Sequence, residues 1–243
     1  MKSILYILIV FGFSINICIG QKTKHIIIKP TKPNNIKESL TVLKSNPHIK
    51  KGAYLKYRNK VLIEQGYYDY NQKDSLWKYY SKSSKLMAVG YYKNDHKTGI
   101  WEYYSINGDL IQTYDHTKDS LIYYNIKKEK EIYPYLAPQD ETNRSQMCYF
   151  IGGLGNLHRT LENETLYPAT EFEKGETASI KVSFIIDTLG YTLEAKVQNS
   201  TNNVFEKEAI RVVQSLGKSW TPAMIEKKKV KMSYMLPINF NIQ

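Results

Sequence analysis

A stretch beginning at Gly66, GYYDYNQKDSLWKYY, recurs 24 residues later as GYYKNDHKTGIWEYY from Gly90, so that Trp77 falls on Trp101. A worn third copy, TYDHTKDSLIYY, ends at Tyr124 and has lost the tryptophan. Related strand-like stretches, KVLIEQ, KLMAVG and DLIQTY, precede the copies. A repeat of this length constrains the fold strongly. Each unit is too small to bury its own apolar face, so the copies must stack. NQKDS and KNDHKTG supply turn residues between aromatic strands, and INGD at Ile106–Asp109 carries the Asn-Gly hairpin signal. Each unit therefore reads as a β-hairpin, marginal alone and stable when its neighbours extend the sheet. The 21 tyrosines suit such an array, because aromatic residues pair across strands.

The pattern of glycine, polar turn, Gly, x, Trp, x, Tyr-Tyr resembles the MORN-like repeat of exported bacterial proteins. Gly99, Trp101, Tyr103 and Tyr104 match it best, with Gly66, Trp77 and Gly90 at the corresponding places; Ser75 stands where the first copy should have its second glycine. The resemblance covers residues 51–133. It implies an elongated antiparallel array that serves as scaffold or interaction surface, with its aromatics as packing residues.

The N-terminus reads as an export signal, residues 1–20. Lys2 is followed by the apolar ILYILIVFGFSINI and by Cys18 and Gly20 ahead of a cleavage point before Gln21. The apolar run approaches the shortest membrane spans of about 17 residues, so an uncleaved anchor is the alternative. Ser14 and Asn16 interrupt its second half and favour cleavage. Lipidation at Cys18 lacks the small residue expected just before it. Once the signal is removed, Cys148 is the sole cysteine, which excludes an internal disulfide. Residues 21–50 are polar and lysine-rich and read as a leader, with a short helix over IKESLTVLK. Residues 134–146, PYLAPQDETNRSQ, read as a linker.

From residue 147 to 243 the pattern changes to that of a second domain. GGLGNLHRTLENETL predicts a glycine entry and a helix. Ile180, Val182, Phe184 and Ile186 alternate on one strand face, DTLG turns, and Tyr191, Leu193, Ala195 and Val197 alternate inward on the next strand. Asn202 or Asn203 caps a helix whose apolar face is Phe205, Ala209, Val212, Val213 and Leu216, and Gly217 ends it. In the final strand Met232, Tyr234, Leu236, Ile238 and Phe240 occupy every second position, while Pro237 demands a sheet edge or a bulge. The fold class is α+β: an N-terminal antiparallel hairpin array, then a small antiparallel sheet with packed helices.

This second region resembles the C-terminal domain of TonB, in the form common in Bacteroidetes-type exported proteins. The matching residues run in order: Gly152 and Gly153, Tyr167 and Pro168, the strand and turn containing Phe184, Asp187 and Gly190, then Ala209 and Arg211, Trp220 and Pro222, and LPINF with Pro237. EKKK departs from the usual glycine-containing turn before the last strand. The resemblance implies a domain that binds extended peptides of outer-membrane receptors by adding them to a sheet edge.

An edge strand offers unpaired N–H and C=O groups. The sequence places that edge at residues 230–240: Val230, Met232, Ser233, Tyr234, Met235, Leu236, Ile238 and Phe240. Pairing within the domain, or with a second copy as a homodimer, are the competing uses of the same edge. The chain carries a net charge of +11, but it has neither a basic helix nor zinc-finger spacing, so nucleic acid is not the expected partner. His25, His48, His96, His116 and His158 are scattered, without HExxH or CxxC, and no GxSxG elbow is present. No metal, cofactor, small-molecule substrate or catalytic residue is assigned. The expectation is a non-enzymatic exported protein of the periplasm or cell envelope of a Gram-negative bacterium, with a peptide-binding head and a repeat scaffold. The alternative is a membrane-anchored energy transducer, against which stand the missing Pro-rich spacer and the absence of a histidine in the apolar segment; an unrecognised enzyme is the third reading.

Overall fold

The structure is a computed structural model that describes residues 21–28, 35–132, 136, 146–198 and 202–241. The expected export signal and most of the expected linker lie outside the described residues. The architecture is α+β, with an N-terminal strand array followed by a smaller domain of short sheets and helices.

Nine antiparallel strands form the array in sequence order: β1 Thr23–Ile28, β2 Ile36–Leu43, β3 Lys50–Arg58, β4 Val61–Asp69, β5 Gln72–Tyr80, β6 Leu86–Lys93, β7 His96–Tyr104, β8 Leu110–Asp115 and β9 Ser120–Tyr124. The expected helix over IKESLTVLK is instead β2, so the sheet starts before residue 51. Ile36, Leu40 and Leu43 have helical spacing, but Leu40 and Val42 bury their side chains on the array core. Tertiary pairing thus overrides a weak local preference. Asn59–Lys60, Tyr70–Asn71 and Asn94–Asp95 make two-residue turns with both φ angles positive, the geometry that matches strand twist. The Asn-Gly pair behaves differently. It lies in a longer loop closed by Ser105 N–H to the Asp109 carbonyl at 2.8 Å, with only Gly108 left-handed.

The turn residues also tie one unit to the next. Asn71 Oδ1 accepts the Lys50 N–H and Asp95 Oδ1 accepts the Lys73 N–H, each at 2.7 Å. Along the inner face Tyr54, Trp77, Tyr79, Trp101 and Tyr103 follow one another with ring centres 5.7–6.2 Å apart. Lys73 and Lys97 lie across Trp77 and Trp101 at 4.2 and 4.4 Å, and their ammonium groups reach the Tyr79 and Tyr103 hydroxyls.

A helix, α1 (Ile126–Ile132), which the repeat pattern does not announce, leads out of the array. The C-terminal domain then runs β10 (Tyr149–Phe150), α2 (Gly153–Glu164), α3 (Ala169–Glu173), β11 (Ala178–Ile186), β12 (Thr192–Val197), α4 (Asn203–Ser215), β13 (Trp220–Thr221), β14 (Ala223–Ile225), β15 (Lys228–Val230) and β16 (Met232–Phe240). Its main sheet has the order β12-β11-β16. Asn202 caps α4 by accepting the Val204 N–H at 3.0 Å, and Phe205, Ala209, Val212, Val213 and Leu216 are buried against the sheet. The inward alternation expected for β12 holds only for Ala195 and Val197. Tyr191 and Leu193 are exposed, because the pairing with β11 shifts register where Glu194 takes a φ of 52°. Glu226 and Lys227 form a two-residue turn with both φ positive, so the EKKK segment closes a hairpin without glycine.

Two buried polar side chains dock the domain on the array. Gln112 of β8 donates to the Phe150 carbonyl at 3.0 Å and accepts the Gly152 N–H at 2.5 Å. Glu129 of α1 accepts the Leu154 and Gly155 N–H groups at 2.7 and 3.0 Å, so a residue from another helix serves the first turn of α2. Burial pushes the Glu129 carboxyl up, and those N–H groups and the Tyr124 hydroxyl oppose the shift.

Candidate functional site: the open edge of the last strand

β16 pairs with β11 over nine residues and with no other strand among the described residues. Its even-numbered side chains, Met232, Tyr234, Leu236, Ile238 and Phe240, are all buried in the domain core. Ser233, Met235 and Asn239 are exposed, and Pro237 is half-buried. Val230, expected on the same edge, instead ends β15 and pairs with Ala223.

The backbone direction follows from one hydrogen bond. The Lys181 carbonyl accepts the Gln198 N–H at 3.1 Å, so Lys181 turns its backbone toward the β12 side. Pro237, the cross-strand partner of Lys181, therefore occupies a non-bonded position and faces outward. Ladder parity gives Ser233, Met235 and Asn239 the same orientation. The open edge thus presents three N–H groups, four carbonyls and one proline without a donor.

The C-terminal end of this edge borders a groove of about 780 Å³. Pro237 to Asn241 form one side, α2 contributes His158, Arg159 and Glu162, and the array contributes Lys56, Arg58, Glu64, Tyr79, Tyr80 and Lys82. Glu64 is engaged by Lys56 at 3.2 Å, and Glu162 lies 3.4 Å from His158. Arg58, Lys82 and Arg159 have no carboxylate partner among the described residues; Arg159 reaches only the Asn156 amide oxygen. Single-sequence reasoning could not find this groove, because its walls come from segments far apart in the chain.

Most of the motif residues shape the fold around the edge. Tyr167 packs its ring on Phe205 and Phe240, with centres 5.9 and 6.0 Å away, and Pro168 caps α3. Phe184 and Trp220 are buried with ring centres 5.6 Å apart. Asp187 closes the hairpin turn by accepting the Leu189 and Tyr191 N–H groups. Gly190 has a φ of +85°, and a Cβ there would lie 2.0 Å from the Trp220 carbonyl oxygen. Ala209 is fully buried on α4. Arg211 binds Glu208 and the Glu164 carbonyl, while Glu208 accepts the Leu166 N–H, which clamps α4 to the chain leaving α2. The Pro222 carbonyl accepts the Gln146 side-chain amide.

The repeat motif is likewise packing and turn chemistry. Trp77, Trp101 and Tyr103 are buried in the array core, and Tyr104 donates its hydroxyl to Glu102 at 2.6 Å. Gly66 and Gly90 accommodate the Trp77 and Trp101 rings; a Cβ would meet them at 2.2 and 2.3 Å. Gly99 supplies a φ of +61°. Among the described residues no cluster of His, Cys, Asp and Glu side chains could hold a metal ion, and no helix is long and apolar enough to cross a membrane.

An antiparallel α+β domain whose last strand is open on one side among the described residues, docked on a hairpin array, is the arrangement that fold and edge define. Residues 163–242 match the family of the Gram-negative bacterial TonB protein C-terminal. No curated protein matches the chain. The match spans α3 to β16 and leaves the array, β10 and most of α2 outside. It associates the chain with TonB-like envelope proteins that act in protein interaction or transport. The hairpins are consistent with the MORN-like resemblance.

Proposed function

We propose that this chain is a non-enzymatic exported interaction protein whose C-terminal domain takes up an extended segment of a protein partner as a strand added along β16. The partner class is an outer-membrane receptor or its peptide segment, and the array serves as scaffold. The observation that supports this reading is the edge itself. β16 is long and, among the described residues, unpaired on one side, and its outward donors alternate in the register that an incoming strand uses. At about 1 kcal/mol net per hydrogen bond, a handful of such bonds holds a transient complex.

The test uses the full chain and peptides from periplasm-facing segments of outer-membrane receptors. Ser233→Pro and Met235→Pro each remove an outward donor without touching a bond to β11. Peptide binding is expected to vanish while circular dichroism stays unchanged; unchanged binding would reject the edge. Sedimentation that shows a dimer, broken by the same prolines, would assign the edge to a second copy.

The family match also favours a second reading, a membrane-anchored energy transducer. Intact mass of protein from the native envelope separates the two. A mature chain starting at Gln21 supports the exported module, and one starting at Met1 in the inner membrane supports the transducer.

A further inference from the structure

We infer that the array is part of the binding site: its cationic wall, with Arg159, selects an incoming strand that carries acidic side chains. This rests on the strand-addition reading of β16 and deepens it.

In the groove beside Pro237–Asn241 the open edge, α2 and the array meet around one space. A strand added along this end of β16 leaves the Asn239 N–H and the Pro237 and Asn239 carbonyls as its backbone partners, and it enters the groove as it does so. The charges lining that space are unbalanced. Glu64 is already paired with Lys56, Glu162 lies 3.4 Å from His158, and the four cations Lys56, Arg58, Lys82 and Arg159 outnumber these two carboxylates. Arg58, Lys82 and Arg159 face no carboxylate among the described residues. Arg58 is half-buried, which raises the value of a partner charge over that of a freely solvated one. Two of the three cations belong to β3 and to the loop between β5 and β6, hence to the array and not to the TonB-like domain. Tyr79 and Tyr80 complete that wall and offer ring surface to the stems of an extended chain. The docking contacts of Gln112 and Glu129 fix α2 against the array, so the wall is held in place before any partner arrives.

The occupant is therefore an extended polypeptide segment with carboxylates at alternate positions, whose side chains on one face reach the wall while its backbone pairs with β16. The test measures fluorescence anisotropy at low ionic strength with two labelled ten-residue probes. One alternates valine and glutamate; the other alternates valine and glutamine. The full chain is expected to bind the glutamate peptide about tenfold more tightly, the sum of three partly screened charge contacts. The triple variant Arg58→Gln, Lys82→Gln, Arg159→Gln is expected to erase this preference by lowering the affinity for the glutamate peptide to that for the glutamine peptide. A control, Lys227→Gln, Lys228→Gln, Lys229→Gln, removes equal charge from the β14–β15 hairpin and should keep the preference. Persistence of the preference in the triple variant, or equal loss in the control, overturns the cationic wall. Asn239→Pro distinguishes the underlying reading: with circular dichroism unchanged, it should weaken both peptides alike. Both peptides indifferent to Asn239→Pro, or no binding of either, would overturn strand addition itself.

Discussion

The Lys181 carbonyl is bonded to Gln198, and its cross-strand neighbour Pro237 consequently turns a nitrogen without hydrogen to the open side of β16. A proline in that position costs the internal ladder nothing and removes one donor from the exposed edge. Pro237→Ala should leave stability within about 0.5 kcal/mol. It should also restore the missing donor and raise self-association. Sedimentation velocity across a concentration series checks this; a profile unchanged from that of the parent chain would show that Pro237 does not guard the edge.

Gly66 and Gly90 sit under the Trp77 and Trp101 rings, where a methyl group would overlap ring carbons. Gly66→Ala or Gly90→Ala should destabilise the array by about 1–3 kcal/mol, the usual range for overpacking. Urea unfolding followed by tryptophan fluorescence measures it.

Ser75 holds a φ of 60° in the place where Gly99 holds 61° in the next repeat. A side chain in this left-handed conformation costs about 1–2 kcal/mol. Ser75→Gly should therefore stabilise the protein by about 1 kcal/mol, and Gly99→Ala should destabilise it by a similar amount. Opposite shifts in the urea midpoint are the expected result.

Lys97 lies on Trp101 with its ammonium against the Tyr103 hydroxyl, and that hydroxyl also meets His116 Nε2 at 2.9 Å. Burial, helped by the Arg159 and Lys73 charges, lowers Lys97 to about 7, and burial with the Lys97 charge lowers His116 to about 4. In both cases the folded chain holds fewer protons than the unfolded chain. Stability should thus rise as pH climbs from about 7 toward 10.5, and fall on acidification from about 6.5 to 4. Lys97 retains some contact with solvent, so the alkaline gain is on the order of 1–3 kcal/mol after screening. Lys97→Met should flatten the alkaline arm and His116→Gln the acid arm, as read from urea midpoints across pH.

The sequence made some of this legible and concealed the rest for physical reasons. Period-two alternation in Ile180–Ile186 and Met232–Phe240 is a local pattern, and both strands bury the expected faces. The hairpin repeats announced themselves through Gly66, Gly90 and the two tryptophans, which obey the same contact twice. β2 was hidden because Ile36, Leu40 and Leu43 fit a helix equally well, and only pairing with β1 and β3 decides the matter. Leu193 came out exposed because a single left-handed residue, Glu194, shifts the phase of β12. Gln112 and Glu129 carry no sequence signal at all. Each acts on backbone groups 25 to 40 residues away, and the cationic groove depends on the docking they provide.

Amide hydrogen exchange along β16 tests the central claim most directly. In the free protein Met232, Tyr234, Leu236, Ile238 and Phe240 should exchange slowly through their bonds to β11, while Ser233, Met235 and Asn239 exchange fast. A bound strand peptide should slow Ser233, Met235 and Asn239 and leave the others as they were. If those three amides stay fast in a saturated complex, the partner does not add along this edge and the account is wrong.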